Sequence, residues 1–305
     1  MQVLGRILVS LVRALGWCLR ATRIRGRHML AAALHQAAPS LEVTYRDRWG
    51  YVHRAWFGDE MQALGFVGKP ALPNELRGIV GLGDWVIDVG ANVGITTAEL
   101  CALVGELGTV WAIEPFPPNL ARLGELKEAN GLRGLRILAG ALSDQRQEAH
   151  LRLPMDGNSG RGCLVDGTEG GRVIVIEAWS LDELVRRGRP SGRLSFVKID
   201  VEGAEIRVLE GALQTLQRDG PVILCEFNES ALARAGSPWP ALLGRFEDVG
   251  YGPVAAYKEG RFLRRLMDRG GVQNALIAGG GVVDVMLIRR PVGTAIAPVS
   301  PSPSS

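Results

Sequence analysis

Short apolar runs alternate with amphipathic stretches through the middle of the chain. Apolar runs that end in an acid or a glycine predict buried strands, and apolar residues at steps of three and four predict helices. The predicted strands, in chain order, are WVIDVG, TVWAIEP, LRILAGALSD, LSFVKIDV and PVILCEF. The predicted helices are ITTAELCALVG, PNLARLGELKEANG, SLDELVRRG and AEIRVLEGALQTLQRDG. This alternation predicts the α/β class, with a doubly wound and mostly parallel sheet.

The rest of the chain divides into further segments around this region. Residues 1–40 are predicted to form a basic amphipathic helical segment, and residues 41–78 a lead-in of short strands and loops. Residues 79–290 contain the main domain, and the Pro/Ser-rich residues 291–305 predict a disordered tail. Further elements are predicted at EAHLRLP, RVIVIEAW, YGPVAAY and VVDVMLIRR (strands) and at WPALLGRFEDVG (a helix).

Composition narrows the possible functions. The 305 residues are 47% hydrophobic and carry a net charge of +3, which is ordinary for a globular protein. Because the basic residues are scattered and form no cluster beside aromatic residues, a nucleic-acid partner is not predicted. The four cysteines form no CxxC pair, so a disulfide framework or a zinc site is not expected, and a reducing compartment fits best.

Residues 1–27 combine an apolar helical face with a stripe of arginines. Arg13 interrupts the apolar stretch, which is therefore too short and too charged to span a bilayer. Two interpretations stay open: a helix docked on the domain, and a peripheral contact with an anionic membrane surface. The predicted location is the cytoplasm, with membrane association at the cytoplasmic face under the second interpretation.

Acidic residues end most of the apolar runs. In open α/β sheets, ligands bind in a crevice at the carboxyl ends of the strands. The acids at these ends are Asp88, Glu114, Asp144, Asp200 and Glu226. We therefore expect these carboxylates to face a crevice, because repulsion and desolvation would make them costly in the core.

The turn DVGANVG, residues 88–94, indicates which ligand the crevice binds. A dinucleotide site needs G-x-G-x-x-G and a phosphate loop needs Gly-Lys-Ser/Thr, and this turn has neither. Gly90 and Gly94 flank Asn92, and Asp88 precedes them. An acid there repels a pyrophosphate but suits a ligand with an ammonium and a sulfonium group, which is S-adenosylmethionine. The alternative is a plain tight turn in which Asp88 caps a helix.

Two further strand ends are predicted to bind the same cofactor. Glu114 can accept two hydrogen bonds from a ribose diol, although an NAD enzyme would use it in the same way. Ser143 and Asp144 follow the third strand and are predicted to contact the adenine ring and its amino group. The predicted cofactor-binding residues are therefore Asp88, Gly90, Asn92, Gly94, Glu114, Ser143 and Asp144.

Several stretches of the chain carry a resemblance to FkbM-type S-adenosylmethionine-dependent methyltransferases. In the order seen in that family, they are VIDVGANVGITT, AIEPFPPN, ALSD, SLDEL, FVKIDVEGAEIRVLEGA and PVILCEF. The similarity covers residues 79–230, and its most specific part is KIDVEGAE at 198–205. Ser180 stands where the family usually has Thr, and the stretch from Lys258 to Gly281 has no counterpart that we can place.

This resemblance implies a class I methyltransferase fold of the Rossmann-like type, with a seven-stranded sheet whose last strand is antiparallel. VVDVMLIRR would supply a strand of the final hairpin. The resemblance also implies an O-methyltransferase that acts on a hydroxyl of a sugar, glycolipid or polyketide, so the expected partner is a small-molecule or glycan acceptor. The alternatives are a methyltransferase for another acceptor class and a module that binds S-adenosylmethionine without turnover.

Three carboxylates near the expected methyl position are the catalytic candidates. Asp200 and Glu202 follow the fourth strand, and Glu226 ends the fifth. One of them is predicted to orient or deprotonate the acceptor hydroxyl, since crowding raises a carboxyl pKa toward that of a useful base. For Glu202, stabilisation of the following helix is an equal alternative. No resident metal is predicted, although Asp200 and Glu226 offer the oxygen ligands that a divalent cation binds.

Two weaker candidates lie outside the strand ends. Asn158 and Ser159, in the glycine-rich stretch GNSGRGC, are interpreted either as part of a mobile lid or as part of an ordinary hairpin. His53 could reach the crevice, but a histidine satisfied by structural contacts is the favoured interpretation.

Overall fold

A computed structural model describes residues 27–68, 72–153, 158–165, 171–266 and 268–290. Residues 1–26 of the predicted amphipathic stretch 1–27, and the predicted tail at residues 291–305, lie outside the described residues. Within the described ranges, no helix has the length and apolar character needed to cross a membrane.

The lead-in region folds as two helices around a two-stranded hairpin. In chain order these elements are α1 (Arg27–Ala37), β1 (Glu42–Arg46), β2 (Val52–Trp56) and α2 (Glu60–Phe66). Asp59 caps α2, because its carboxylate accepts hydrogen bonds from the amides of Met61 and Gln62. Buried side chains that include Phe57 and Phe66 form a small core of their own in this region.

The main domain alternates strands with helices. Its first half contains β3 (Trp85–Val89), α3 (Ile95–Val104), β4 (Thr109–Glu114), α4 (Pro117–Asn130), β5 (Leu135–Ala139), β6 (Ala141–Leu142), β7 (Gln147–Arg152), β8 (Cys163–Val165), β9 (Val173–Trp179) and α5 (Leu181–Gly188). Its second half contains β10 (Leu194–Ile199), α6 (Glu205–Glu210), α7 (Leu213–Asp219), β11 (Val222–Asn228), α8 (Glu229–Arg234), α9 (Trp239–Asp248), β12 (Tyr251–Lys258), β13 (Arg261–Arg265), α10 (Arg269–Ala278) and β14 (Val282–Arg289). Short 3₁₀ helices lie at Asn74–Gly78 and Ser159–Arg161.

The described part of the central sheet has eight strands in the order β13-β12-β14-β11-β10-β3-β4-β5. The five strands from β11 to β5 run parallel, and β14 lies antiparallel between β11 and β12. The predicted doubly wound sheet with an antiparallel last strand is confirmed, and β13 adds an eighth strand through a hairpin with β12. The strand order reverses between β3 and β10, which places a crevice at their carboxyl ends.

The central strands β3 and β10 are buried along their whole lengths. This explains their largely apolar sequences, since strands covered on both faces have no solvent side. Trp85 and Ile87 point into one core layer, and Val86 between them points into the other. The alternation fixes which strand-end side chains reach the crevice.

The third predicted strand is two strands in two different sheets. LRILAGALSD was expected to be one strand, but the chain leaves the central sheet at Gly140, between β5 and β6. A Cβ at Gly140 would lie 2.6 Å from the carbonyl oxygen of Glu177 and 2.3 Å from the ring of Trp179. Only glycine allows this crossing. The second sheet has the described order β6-β9-β7-β8 and contains both predicted strands that flank the glycine-rich loop.

The predicted helix AEIRVLEGALQTLQRDG is also divided, into α6 and α7. The break falls at Gly211, where a Cβ would lie 2.0 Å from the carbonyl oxygen of Ser143. This close approach packs the end of α6 against the segment that follows β6. A single helix was the wrong prediction because the tertiary contact, and not the local apolar spacing, determines where the helix ends.

Candidate active site

A cavity of about 290 Å³ lies at the carboxyl ends of β3, β4, β10 and β11. The predicted site residues on its wall are Gly90, Asn92, Glu114, Asp200, Glu202 and Glu226. The described wall does not include the other predicted residues, which are Asp88, Gly94, Ser143 and Asp144. The cavity therefore brings together the catalytic candidates and part of the expected cofactor set.

Glycines shape the turn after β3. Gly90 has φ of +80°, and a Cβ there would lie 1.9 Å from the carbonyl oxygen of Asp200. Only glycine lets the turns after β3 and β10 approach so closely. Gly94 has φ of +88° and begins α3, where a Cβ would contact the side chains of Leu123 and Leu126. Gly94 thus serves the packing of α3 on α4 and does not reach the cavity.

Glu114 ends β4 and is buried against the turn after β3. Its Oε2 accepts a hydrogen bond from the Asn92 amide at 2.7 Å, and its Oε1 accepts from the Phe116 amide at 2.8 Å and the Asn119 side chain at 3.3 Å. A carboxylate has about four acceptor positions, so about one remains for a ligand. Burial raises the pKa of Glu114 to about 7, even though the three hydrogen bonds lower it.

Asp88 lies beneath the turn and is fully buried. Its Oδ2 accepts a hydrogen bond from the Thr97 hydroxyl at 2.6 Å, and its Oδ1 finds no partner among the described residues. Burial raises the pKa of Asp88, while the charge of Lys198 and the Thr97 hydrogen bond lower it. The structure therefore does not bring Asp88 to the cavity wall, and its contact with a cofactor stays a prediction.

The predicted adenine contacts also lie away from the cavity. Ser143 is buried and Asp144 is exposed, and the Ser143 hydroxyl donates a hydrogen bond to Asp144 at 2.8 Å. Because the chain leaves the central sheet at Gly140, the residues that line the cavity here are Ala141 and Leu142. Contacts from Ser143 and Asp144 to adenine stay predictions.

The three catalytic candidates lie together on the cavity wall. One carboxylate oxygen each from Asp200, Glu202 and Glu226 lies within 4.8 Å of the others, a spacing at which a divalent cation could be held. Glu202 has φ of +53°, an uncommon conformation for a residue with a side chain, and its Oε2 accepts a hydrogen bond from Asn228 at 3.4 Å. The turn after β10 is thus bent to bring both of its acids to the cavity.

Glu226 differs from its two neighbours in having a buried oxygen, Oε2, that makes no hydrogen bond within the described part of the chain. Burial raises the pKa of Glu226 well above its usual range, and the nearby carboxylates of Asp200, Asp284 and Glu202 raise it further. A buried polar atom without a partner is costly, and such atoms in native proteins often mark a place where a ligand or water binds.

Lys198 is the counter-charge of the site, and sequence reasoning did not assign it a role. It lies in β10 with its side chain buried, and its Nζ donates a hydrogen bond to Asp200 Oδ2 at 2.6 Å. Burial alone would lower the pKa of Lys198, but the carboxylates of Asp200, Asp284 and Asp88 outweigh it and hold this pKa above the ordinary value. The available signal was a single lysine inside an otherwise apolar strand.

The loop at residues 158–162 covers one side of the cavity. The Ser159 hydroxyl donates a hydrogen bond to Asn92 Oδ1 at 3.1 Å, and Asn158 Nδ2 donates to Glu60 Oε2 at 2.9 Å. These bonds join the second sheet to the turn after β3 and to α2. The loop is therefore attached on both sides of the cavity, and its movement as a lid stays a prediction.

Two other polar residues have structural roles. His53 Nε2 lies 2.9 Å from Asp47 Oδ2, and its ring stacks on Tyr45 at 5.2 Å, so it is a satisfied histidine, as favoured from the sequence. Glu205 is fully buried and its Oε1 accepts hydrogen bonds from the amides of Val201 at 3.3 Å and Gly203 at 3.1 Å. It stabilises the turn at the start of α6.

The strand order and the site at the strand ends define the class I methyltransferase fold. The Methyltransferase FkbM domain family matches residues 88–253, which is more than half of the chain. The protein belongs to this family, whose cofactor is S-adenosylmethionine. The resemblance seen in the sequence is thereby confirmed.

Similar proteins include one curated relative and several solved structures. The hexuronic acid methyltransferase AglP of Haloferax volcanii is 33% identical over 141 residues, which are 46% of this chain and 55% of that protein. The chain thus matches a little over half of this relative's length. An FkbM methyltransferase from Methylobacillus flagellatus is 15% identical, with a TM-score of 0.39 over 87% of this chain and 59% of that one. A fibrillarin from Methanococcus jannaschii is 10% identical, with a TM-score of 0.42 over 69% and 68%.

Proposed function

We propose that this protein transfers the methyl group of S-adenosylmethionine to a hydroxyl oxygen of a sugar. The observation that carries the proposal is the cluster of Asp200, Glu202 and Glu226 on the wall of the cavity beyond β10 and β11. Carboxylates there can accept a hydroxyl proton and hydrogen-bond a hydroxylated acceptor. Glu226 belongs to this cluster, and its buried Oε2 finds no partner in the described part of the chain, so it is available to a ligand.

The residues of the cavity fit the cofactor. Because Gly90 has no side chain, the turns after β3 and β10 lie close together, and Asn92 and Asp200 both reach the wall of this cavity. Glu114 retains about one acceptor position for a ribose hydroxyl. Leu142 offers an apolar surface for a flat ring. We expect Gly90, Asn92 and Glu114 to hold the cofactor.

When bound, S-adenosylmethionine supplies a methyl carbon on a positively charged sulfur. The protein must hold the acceptor oxygen in line with that carbon and sulfur. The sulfonium would keep the electron pair of the broken carbon–sulfur bond, so the protein would have to accept only the hydroxyl proton. The hydroxyl proton goes to the Asp200 carboxylate, which Lys198 keeps in place through its 2.6 Å hydrogen bond.

A sugar is the favoured acceptor because the curated relative is named as a hexuronic acid methyltransferase. Carboxylates are common partners of sugar hydroxyls, since each offers several acceptor positions. Glycolipids and polyketides carry hydroxyls as well, and the same assay covers them.

The test is transfer of a labelled methyl group to a panel of sugars, glycolipids and hydroxylated polyketides. We expect a sugar to be labelled, and we expect Asp200→Asn to lower turnover by about 10²–10⁴-fold, the usual effect of losing an acid–base group. Binding of S-adenosylhomocysteine should change far less. Glu106→Gln, at an exposed position away from the cavity, is the control. Full turnover in Asp200→Asn would mean that Glu202 or Glu226 accepts the hydroxyl proton. Labelling of polyketides alone would contradict a sugar as the acceptor.

A metal requirement is tested in the same assay. If the three carboxylates hold a divalent cation, chelation abolishes labelling and added magnesium restores it. We expect activity to survive chelation, because the Lys198 ammonium already pairs with Asp200 at 2.6 Å.

Peripheral membrane contact is proposed for residues 1–27, on their amphipathic sequence alone. The cytoplasmic face of a membrane is the location that this contact implies. We expect the full chain to float with anionic vesicles. A chain that lacks residues 1–27 should remain unbound in the dense fraction. Equal flotation of both chains would contradict the contact, and loss of folding on truncation would favour a docked helix.

A further inference from the structure

A second cavity, of about 170 Å³, adjoins the first one. A water molecule takes up roughly 30 Å³ in the liquid, so this space is larger than a water site. The residues that line both cavities are Met61, Ile95, Thr96, Lys198, Asp200 and Glu226. The catalytic candidates Asp200 and Glu226 therefore lie where the two spaces meet, which is where a methyl group would pass from a cofactor in one to an acceptor in the other.

The residues that line only the second cavity are apolar on one side and polar on the other. Leu64 of α2 and Val282 and Val283 of β14 give it apolar surface. Lys258 and Glu259, at the end of β12, give it a polar edge. A site with apolar surface and a few fixed polar groups suits a ring that has an apolar face and hydroxyls at its rim.

The polar edge is held by a rigid hairpin. Lys258 pairs with Arg261 across the β12–β13 turn, and both central residues have positive φ, +53° at Glu259 and +69° at Gly260. Two such residues make the tight turn that matches the twist of paired strands. Lys258 Nζ also donates a hydrogen bond to the Val282 carbonyl at 2.8 Å, which joins this turn to β14.

Backbone strain points to the same two spaces. Among the described non-glycine residues, those with positive φ are Asn92, Glu202 and Glu259. Asn92 and Glu202 line the first cavity, and Glu259 lines the second. Such conformations are uncommon for residues with a side chain and cluster at functional sites, where surrounding structure maintains them. At Glu259 the tight turn requires the positive φ.

We infer that the second cavity receives the acceptor, an uncharged sugar ring, and that the β12–β13 turn with Lys258 and Glu259 determines which ring fits. This inference rests on the proposed function. The turn and β13 lie beyond residues 88–253, which are the residues that the family matches. Apart from Glu226 with its buried Oε2, the wall carries the carboxyl groups of Asp200, Glu259 and Asp284 against two lysines. An acceptor with its own carboxylate would meet like charge there.

The experiment uses the full chain, saturated with S-adenosylhomocysteine, and measures sugar binding by saturation-transfer NMR. The probes are methyl hexosides and the matching hexuronates. Val282→Phe fills the second cavity without touching the described wall of the first. Val175→Phe makes the same change at an exposed position on β9 and is the control.

We expect the wild type and Val175→Phe to bind a methyl hexoside, and to bind its hexuronate more weakly. Val282→Phe should bind S-adenosylhomocysteine normally, which shows that it is folded, and should bind the hexoside about tenfold more weakly or worse, as pockets do when their space changes by a few carbons. Unchanged hexoside binding in Val282→Phe would contradict the claim that the second cavity binds the acceptor. A preference for the hexuronate would contradict the claim that the acceptor ring is uncharged. If the wild type binds the cofactor but no sugar, the proposed function itself fails, without reference to the variants.

Discussion

At the scale of single residues, the site is a balance between buried acids and one buried lysine. Asp200 has a partner in Lys198, Glu114 has three hydrogen-bond donors, and Glu226 keeps an oxygen without one among the described residues. These hydrogen bonds hold the carboxylates of Asp200 and Glu114 in place. The least satisfied one, Glu226, lies on the wall that both cavities share.

The first prediction concerns the pH dependence of stability. The pKa of Glu114 is about 7 in the folded protein, above its ordinary value of 4.5. Between these values the folded chain binds more protons than the unfolded chain, so the contribution of Glu114 to the free energy of unfolding falls as pH rises from about 4.5 to 7. Glu114→Gln should remove this contribution.

Urea unfolding at several pH values measures how the free energy of unfolding depends on pH in the wild type and in Glu114→Gln. Glu106→Gln, at an exposed position, should keep the wild-type pH dependence. If Glu114→Gln and the wild type lose stability in parallel across this window, burial does not govern the titration of Glu114.

The second prediction concerns the ion pair. Lys198→Met should destabilise the protein by roughly 1–3 kcal/mol, less than the 3–5 kcal/mol of a fully buried pair, because the side chain of Asp200 is 33% exposed. The double variant Lys198→Met/Asp200→Asn should recover part of that loss, since the unpaired carboxylate is gone. A double-mutant cycle by chemical denaturation measures this coupling. Additive losses would mean that the two charges do not stabilise each other.

At the scale of elements, local patterns predicted most strands and helices, and tertiary contacts decided the exceptions. The apolar runs of β3, β4, β10 and β11 and their terminal acids were visible in the sequence. The breaks at Gly140 and Gly211 were not, because each glycine is required by a backbone that approaches from a distant segment. The placement of Ser143 away from the cavity follows from the first break.

The same reasoning explains which site residues could be predicted. Glu114 ends β4, Asp200 directly follows β10, and Glu226 lies two residues before the end of β11. All three reach the cavity because parallel strands end at one edge of the sheet. Asp88 stands one residue before the end of β3, and alternation along the strand turns it into the interior. The lysine at 198 faces the site from within β10, a position that strand-end reasoning does not consider.

The third prediction tests the contact between the turns after β3 and β10. Gly90→Ala introduces a Cβ 1.9 Å from the Asp200 carbonyl and an unfavourable positive φ, so the turns must separate. We expect lower stability and weaker binding of S-adenosylhomocysteine. Gly124→Ala is the matched control, since it lies in α4 with open space around it and should stabilise the protein by roughly 0.5–1 kcal/mol.

Thermal unfolding and calorimetry of both variants measure these effects. If Gly90→Ala binds S-adenosylhomocysteine as well as Gly124→Ala does, the close approach of the two turns is not needed for the cofactor.

At the scale of the whole molecule, the cavity is enclosed by parts that are distant in sequence. The central sheet supplies its floor, α2 of the lead-in supplies Met61, and the second sheet supplies the loop at residues 158–162. Sequence patterns could identify the sheet and its acids, but not which outlying segments cover them, since those contacts depend on long-range packing. The second cavity has the same character, because α2 and the β12–β13 hairpin meet only in the folded chain.

The central claim is that this cavity binds S-adenosylmethionine and not a dinucleotide. Isothermal calorimetry of the full chain with S-adenosylmethionine, and separately with NAD, tests it most directly. We predict that S-adenosylmethionine binds with one site per chain and that NAD gives no binding heat, because the turn at residues 88–94 lacks the glycine spacing for a pyrophosphate. Binding of NAD by a folded chain that does not bind S-adenosylmethionine would contradict the account.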